Sequence, residues 1–128
     1  MDSIEIELAE VLITESLRTL RKRAAQLRGS TDVANSLIAG GLDPRDIIDA
    51  AEVRKFANRL QEFREAKWFF LAEENKSTTF EVCCDAAGLN VDAVRDQIRK
   101  DSGLDFNTRL AHKAAAKFMY KRRETLYG

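Results

Sequence analysis

Apolar positions recur at helical spacing along almost the whole chain. From about Ser3 to Leu27, the residues Ile6, Ile13, Leu17, Leu20, Ala24 and Leu27 form a stripe interrupted only by Glu10. This is the pattern of a long amphipathic helix, with Ile4, Leu8 and Val11 as a second apolar line beside it. Such a stripe needs a partner, either in the same chain or in a second copy. Gly29 ends the pattern, Ser30-Thr31-Asp32 offers caps for a short helix through Ile38, and Gly40-Gly41 breaks the chain again. Asp43 and Pro44 then read as the N-cap and first residue of a helix reaching about Glu74, with a bend or break expected near Ala50–Val53.

Beyond the loop Asn75-Lys76-Ser77, Thr78 and Glu81 have the spacing of a capping box at the head of a short helix from Thr79 to about Ala87. Gly88 supplies a turn, Asn90 caps a helix from Val91 to about Lys100, and Gly103 ends it. Asp105 or Asn107 opens a last helix through about Thr125. No strand alternation and no internal repeat interrupts this series. The expected fold is all-α with five to seven helices. Residues 1–40 read as a helical arm able to serve oligomerisation, and residues 43–128 as a helical domain carrying a helix-turn-helix at 79–100 and a basic helix at 105–125.

Composition narrows the function classes. Of 128 residues, 45% are hydrophobic and 33% charged, too apolar for disorder and too charged for a membrane protein. The first residues lack a basic leader, so a cytoplasmic protein is expected. Cys83 and Cys84 are adjacent and unsuited to a mutual disulfide, and with His112 distant in sequence they form no metal-ligand spacing. Nucleophile–base pairs and glycine-rich phosphate loops are also missing, so neither an enzyme nor a cofactor is expected.

Charge changes the picture more. The 21 basic and 21 acidic side chains cancel, yet they are segregated. Residues 2–17 hold five acids and no base, and residues 18–28 five bases and no acid, a distribution that also suits the dipole of one long helix. Residues 106–128 hold six bases against Glu124. Among them Arg109, Lys113, Lys117 and Lys121 recur every four residues as one drifting stripe, extended by Arg122 and Arg123, while Leu110, Ala114, Phe118 and Met119 are expected to pack inward. Neighbouring like charges at this spacing repel, so a polyanion partner is the natural reading.

The helix–glycine–helix segment at 79–100 supplies the second candidate surface. Cys84 and Ala87 are small enough for a close crossing, and Leu89, Val91, Val94 and Ile98 are expected to pin the second helix to the core. Asp92, Ala93, Arg95, Asp96, Arg99 and Lys100 would then face outward. In a DNA groove Arg95 would read guanine bidentately, with Asn90, Arg99 and Lys100 nearer phosphates and Asp92 and Asp96 reading cytosine or orienting an arginine. Trp68, Phe69, Phe70 and Phe80, with Phe56 and Phe63, read as core, while Tyr120 and Tyr127 sit among bases, where they could lie against sugar-phosphate or a partner.

The pattern Trp68 … Phe80-x-x-Cys83 … Gly88 … Val94-Arg95 resembles a recurring segment of small phage and prophage proteins, over about residues 66–100. It departs from that pattern at Ala87-Gly88, where Leu-Gly is usual, and in the length of the loop before Phe80. The resemblance implies a helix-turn-helix DNA-binding protein, a transcription regulator. The expected partners are double-stranded DNA and a second copy joined through the N-terminal helix. The competing reading is an α-helical factor that binds another protein, such as a polymerase subunit or a host protein, and uses the hairpin only as scaffold.

Overall fold

Leu20, Ala24 and Leu27 are enclosed almost completely, and with Ala9 and Ile13 they form the buried edge of the first helix, α1 (Ser3–Arg28). The computed structural model describes residues 3–72, 79–101, 104 and 108–128. Five further helices follow: α2 (Thr31–Ala39), α3 (Ile47–Leu71), α4 (Thr79–Ala87), α5 (Val91–Lys100) and α6 (Thr108–Tyr127). The fold is all-α, and no strand occurs among the described residues. No helix among them is long and apolar enough to cross a membrane.

The helices gather into two compact units. One comprises Met1–Ala24 and Phe63–Asp105, the other Ala25–Glu62 and Phe106–Gly128. These boundaries differ from a division into residues 1–40 and 43–128: α1 and α3 each contribute to both units. In the first unit Ile13, Leu20, Phe63, Phe70, Phe80, Cys84 and Ile98 are buried. Phe69, Phe70 and Phe80 meet edge to face with ring centroids 5.1–5.7 Å apart. In the second unit Leu37, Val53, Phe56, Leu60, Ala111, Ala115 and Phe118 are buried, and α2 packs on α6.

Local chemistry sets the helix ends. The Ser30 hydroxyl does not cap α2; it donates to the Gln26 carbonyl at 2.9 Å and accepts from Arg59 Nη1 at 3.1 Å, closing the end of α1 instead. α3 begins later than Pro44 because Asp43 and Pro44 form a turn. The Asp43 carboxylate accepts from Arg45 N at 2.9 Å and its carbonyl accepts from Asp46 N at 3.1 Å. Asp46 is the residue that caps α3, its Oδ1 accepting from Ile48 N at 2.8 Å and Asp49 N at 3.0 Å. α3 then runs unbroken through residues 50–53, where Ala50 and Val53 are buried and an uninterrupted face is needed. The proposed capping residue Thr78, the turn at Gly103 and the caps Asp105 and Asn107 lie outside the described residues, as does the loop at 75–77.

Two glycine turns behave as their sequence suggests. Gly88 takes φ 71°, and the turn closes with Leu89 N donating to Cys84 O at 2.8 Å. Gly40 takes φ 75°, with Gly41 N donating to Ser36 O at 2.8 Å. A side chain added at Gly88 would meet no atom within 4 Å, so only backbone strain opposes substitution there. Gly88→Ala is therefore expected to cost about 1–2 kcal/mol, and Gly88→Asn less because Asn tolerates the left-handed conformation. The urea midpoint of each variant checks this order.

Candidate nucleic-acid interface

The candidate residues on α6 divide cleanly by face. Ala111, Ala115 and Phe118 are buried, so the packed stripe runs through these positions. Leu110, expected inside, is instead exposed, because it lies one position before that stripe. Arg109, Lys113, Lys117 and Lys121 are all exposed, with Tyr120 and Arg123 among them. The Tyr120 hydroxyl donates to Glu124 Oε1 at 2.8 Å, engaging the single acid of this helix. Arg122 differs from its neighbours: it is half-buried, and its Nη1 donates to the Pro44 carbonyl at 2.8 Å, holding the turn before α3. It is a structural contact more than a free cation.

The candidates on α5 behave differently. The Asn90 side chain accepts from Ala93 N at 2.9 Å and is the N-cap of α5. Asp92, Asp96, Arg99 and Lys100 are exposed, and Arg99 Nη1 meets Asp96 Oδ1 at 3.4 Å, an exposed ion pair one helical turn apart. The expected guanine reader, Arg95, is not on the surface at all. Only 4% of it is accessible, and its Nε donates to the Phe70 carbonyl at 2.7 Å. Its Nη2 donates to the Ala72 carbonyl at 2.9 Å and to Glu81 Oε1 at 3.1 Å. The guanidinium carbon lies 5.4 Å from the centroid of the Phe80 ring.

The reason is positional. Arg95 stands four residues after Val91 and three before Ile98, so it belongs to the inward stripe of α5 and not to its outer face. It meets carbonyls that end α3, groups with no partner in their own helix and with the negative end of the helix dipole behind them. Glu81 completes the set from α4. The acid at a matching position on the preceding helix and the absence of a terminal glycine at the end of α3 are the sequence signals that mark this role.

Other expectations shift as well. Trp68 is 67% exposed, unlike its core neighbours Phe56, Phe63, Phe70 and Phe80. Leu89 is exposed and does not pin α5; Ile98 does, with Val91 and Val94 half-buried. Cys83 and Cys84 are buried and unbridged. Burial pushes both thiols above their ordinary ionisation range; at Cys84 the neighbouring thiol adds to that rise and Arg95 opposes it. Among the described residues no cluster of three groups suited to hold a metal forms.

No known family, curated protein or solved structure matches this chain. The functional reading therefore rests on the geometry of its own surfaces. α5 belongs to the first unit and α6 to the second.

One further surface was only half legible in the sequence. Most of the stripe through Ile13, Leu20, Ala24 and Leu27 is buried within a single chain, with Ile6 and Leu17 half-buried, so it is not available to a second copy. The second line remains uncovered: Ile4, Leu8, Val11 and Leu12 are exposed. With Val82, Cys83 and Ala86 of α4, Leu8, Ala9 and Leu12 line an apolar groove of about 450 Å³, edged by Glu5 and Asp85.

Replacing Arg95 with Ala should strand the Phe70 and Ala72 carbonyls and remove an ion pair from Glu81, costing about 3 kcal/mol. Arg95→Lys should not restore the loss, because an ammonium cannot reproduce the fork. Thermal unfolding followed by circular dichroism checks both. A variant of parental stability that bound DNA more weakly would return Arg95 to the interface.

Proposed function

We propose that the chain is a DNA-binding protein whose main contact is the exposed basic face of α6 with the phosphate backbone. The observation that carries this reading is the row Arg109, Lys113, Lys117 and Lys121, exposed throughout, with no acid between them and the opposite face packed. Like-charge repulsion at this spacing is offset when phosphates supply the counter-charge and bound cations are released from the duplex.

α5 has a subordinate part. Its outward face carries Asp92 and Asp96 against Arg99 and Lys100, a balance that does not attract a polyanion. With Arg95 committed to the interior, the hairpin lacks the bidentate donor on which base reading would rest. The reading is thus of backbone binding with little sequence discrimination. The phage-like resemblance, a role in regulating transcription and a dimer through the N-terminal helix are consistent with DNA binding but lend it no geometry.

Fluorescence anisotropy with a random-sequence duplex at about 50 and 200 mM salt tests the proposal. The parent should lose affinity steeply between the two. Lys113→Gln, Lys117→Gln and Lys121→Gln together should flatten the salt dependence by a slope of roughly 0.9 for each phosphate no longer neutralised. No binding at the lower salt, or a triple variant that binds like the parent, overturns it.

The groove between α1 and α4 favours a second reading, an α-helical factor that docks a protein partner. Its walls are apolar, Glu5 and Asp85 edge it, and none of its lining residues is basic. Those charges select a partner helix with an apolar face flanked by Lys or Arg. A second copy pairing antiparallel through Ile4–Leu12 would instead bring Glu5, Glu7 and Glu10 of both chains together. A synthetic amphipathic helix with lysine flanks should bind the parent and lose affinity with Leu8→Ser. A glutamate-flanked version that bound equally well, or concentration-dependent self-association with no peptide binding, would overturn this docking mode.

A further inference from the structure

The first unit contains a second concavity, distinct from the groove and lined by α1, α3, α5 and Leu104. Its volume is about 410 Å³, within the range of roughly 300–1,000 Å³ found for small-molecule sites. Its apolar wall is formed by the half-buried Leu17 and Val94, backed by Ile13, Phe70, Ile98 and Leu104 of the core. Arg21 and Lys100 also line it and are exposed to solvent. Among the described residues neither side chain makes a hydrogen bond or an ion pair, and Asp101 is the only acid in the lining.

We propose that this cavity binds a small amphipathic carboxylate, its hydrocarbon body against Leu17 and Val94 and its carboxylate between Arg21 and Lys100. The division of labour follows from the physical chemistry of the two ends. Apolar burial drives entry but cannot tell an acid from an alcohol of the same length. Two cations with no side-chain partner among the described residues favour the anion, and guanidinium is the better carboxylate ligand of the two because its fork matches both oxygens. A cationic amphiphile is repelled by the same pair.

The site makes no use of α6 and is independent of DNA binding. Its elements also carry the Arg95 contacts: Phe70, which lines the cavity, gives its carbonyl to the Arg95 guanidinium. A bound ligand should therefore stabilise α3 against α5, and its occupancy is expected to raise the unfolding midpoint of the whole chain by mass action.

Calorimetric titration of the full chain with octanoate, octan-1-ol and octylammonium distinguishes the alternatives. Octanoate should bind saturably with one-to-one stoichiometry, about tenfold more tightly than the alcohol, and octylammonium should not bind. The double variant Arg21→Gln, Lys100→Gln should bring octanoate down to the level of the alcohol while leaving unfolding of the free protein unchanged, since both side chains are exposed. Amide chemical-shift changes on titration should centre on Val94–Lys100. Equal affinity for acid and alcohol, no binding of octanoate, or shifts centred on the α1–α4 groove would each overturn the proposal.

Discussion

The end of α3 is the constraint around which the first unit is organised. The last carbonyls of a helix have no partner within it, and residues 72–79 after α3 contain no glycine to form a left-handed cap. The guanidinium of Arg95 takes two of these carbonyls, and its remaining reach goes to Glu81 and the face of Phe80. A buried charge is tolerable only when it is paired and hydrogen-bonded, and Nε and Nη2 of Arg95 make three such bonds. Ion pairs in the interior cost nearly as much in desolvation as they return. What this one adds is orientation, since a planar fork held at three points fixes α5 against both α3 and α4. Cys84 and Phe80, fully enclosed beneath it, then pack in one arrangement.

That constraint reaches function by removing a residue from the surface. Two short helices joined by a glycine turn invite a groove-reading interpretation, but a fold-level likeness does not place chemistry. Once Arg95 is turned inward, the outer side of α5 is a balanced set of two acids and two bases, one pair already neutralised across a single turn. α6 has such a task only at Arg122, which holds the Pro44 carbonyl. Its small buried residues Ala111 and Ala115 permit close packing, and a single aromatic, Phe118, anchors it, so the row of cations stays in solvent.

Much of this was legible in the order of residues. The helix series, the turns at Gly40 and Gly88, the cap at Asn90 and the exposed row on α6 follow from local rules, because spacing, positive φ and side-chain capping act within a few residues. The failures share a cause as well. Arg95 looked like a surface residue because of its type, although its place between Val91 and Ile98 is an interior one. Its partners are 14 to 25 residues away, beyond what spacing can report. Trp68 looked like core for the converse reason. Asp43 read as the cap of α3, but it turns the chain before Asp46 caps the helix, and Arg122, far along the chain, donates to the Pro44 carbonyl of that turn. The grouping of α1 and α3 into both units is likewise set by contacts distant in sequence.

Neutrality of the whole chain does not weaken a polyanion reading, since charges separated by more than about 8 Å act nearly independently at physiological salt. The geometry of the row on α6 says more about the shape of its partner. From Arg109 to Lys121 the helix rises about 18 Å, and the row turns about 40° around the axis at each step of four residues. Its two ends therefore point roughly 120° apart, so a flat anionic surface meets the middle lysines, Lys113 and Lys117, and leaves the ends reaching sideways. A strand that curves around the helix meets all four. The phosphates bordering a duplex groove present that curvature on both sides of an inserted helix, and over this rise they offer about five per strand. The drift of the row, which a four-residue repeat on a 3.6-residue helix makes unavoidable, thus suits a groove better than a membrane surface or a planar protein face.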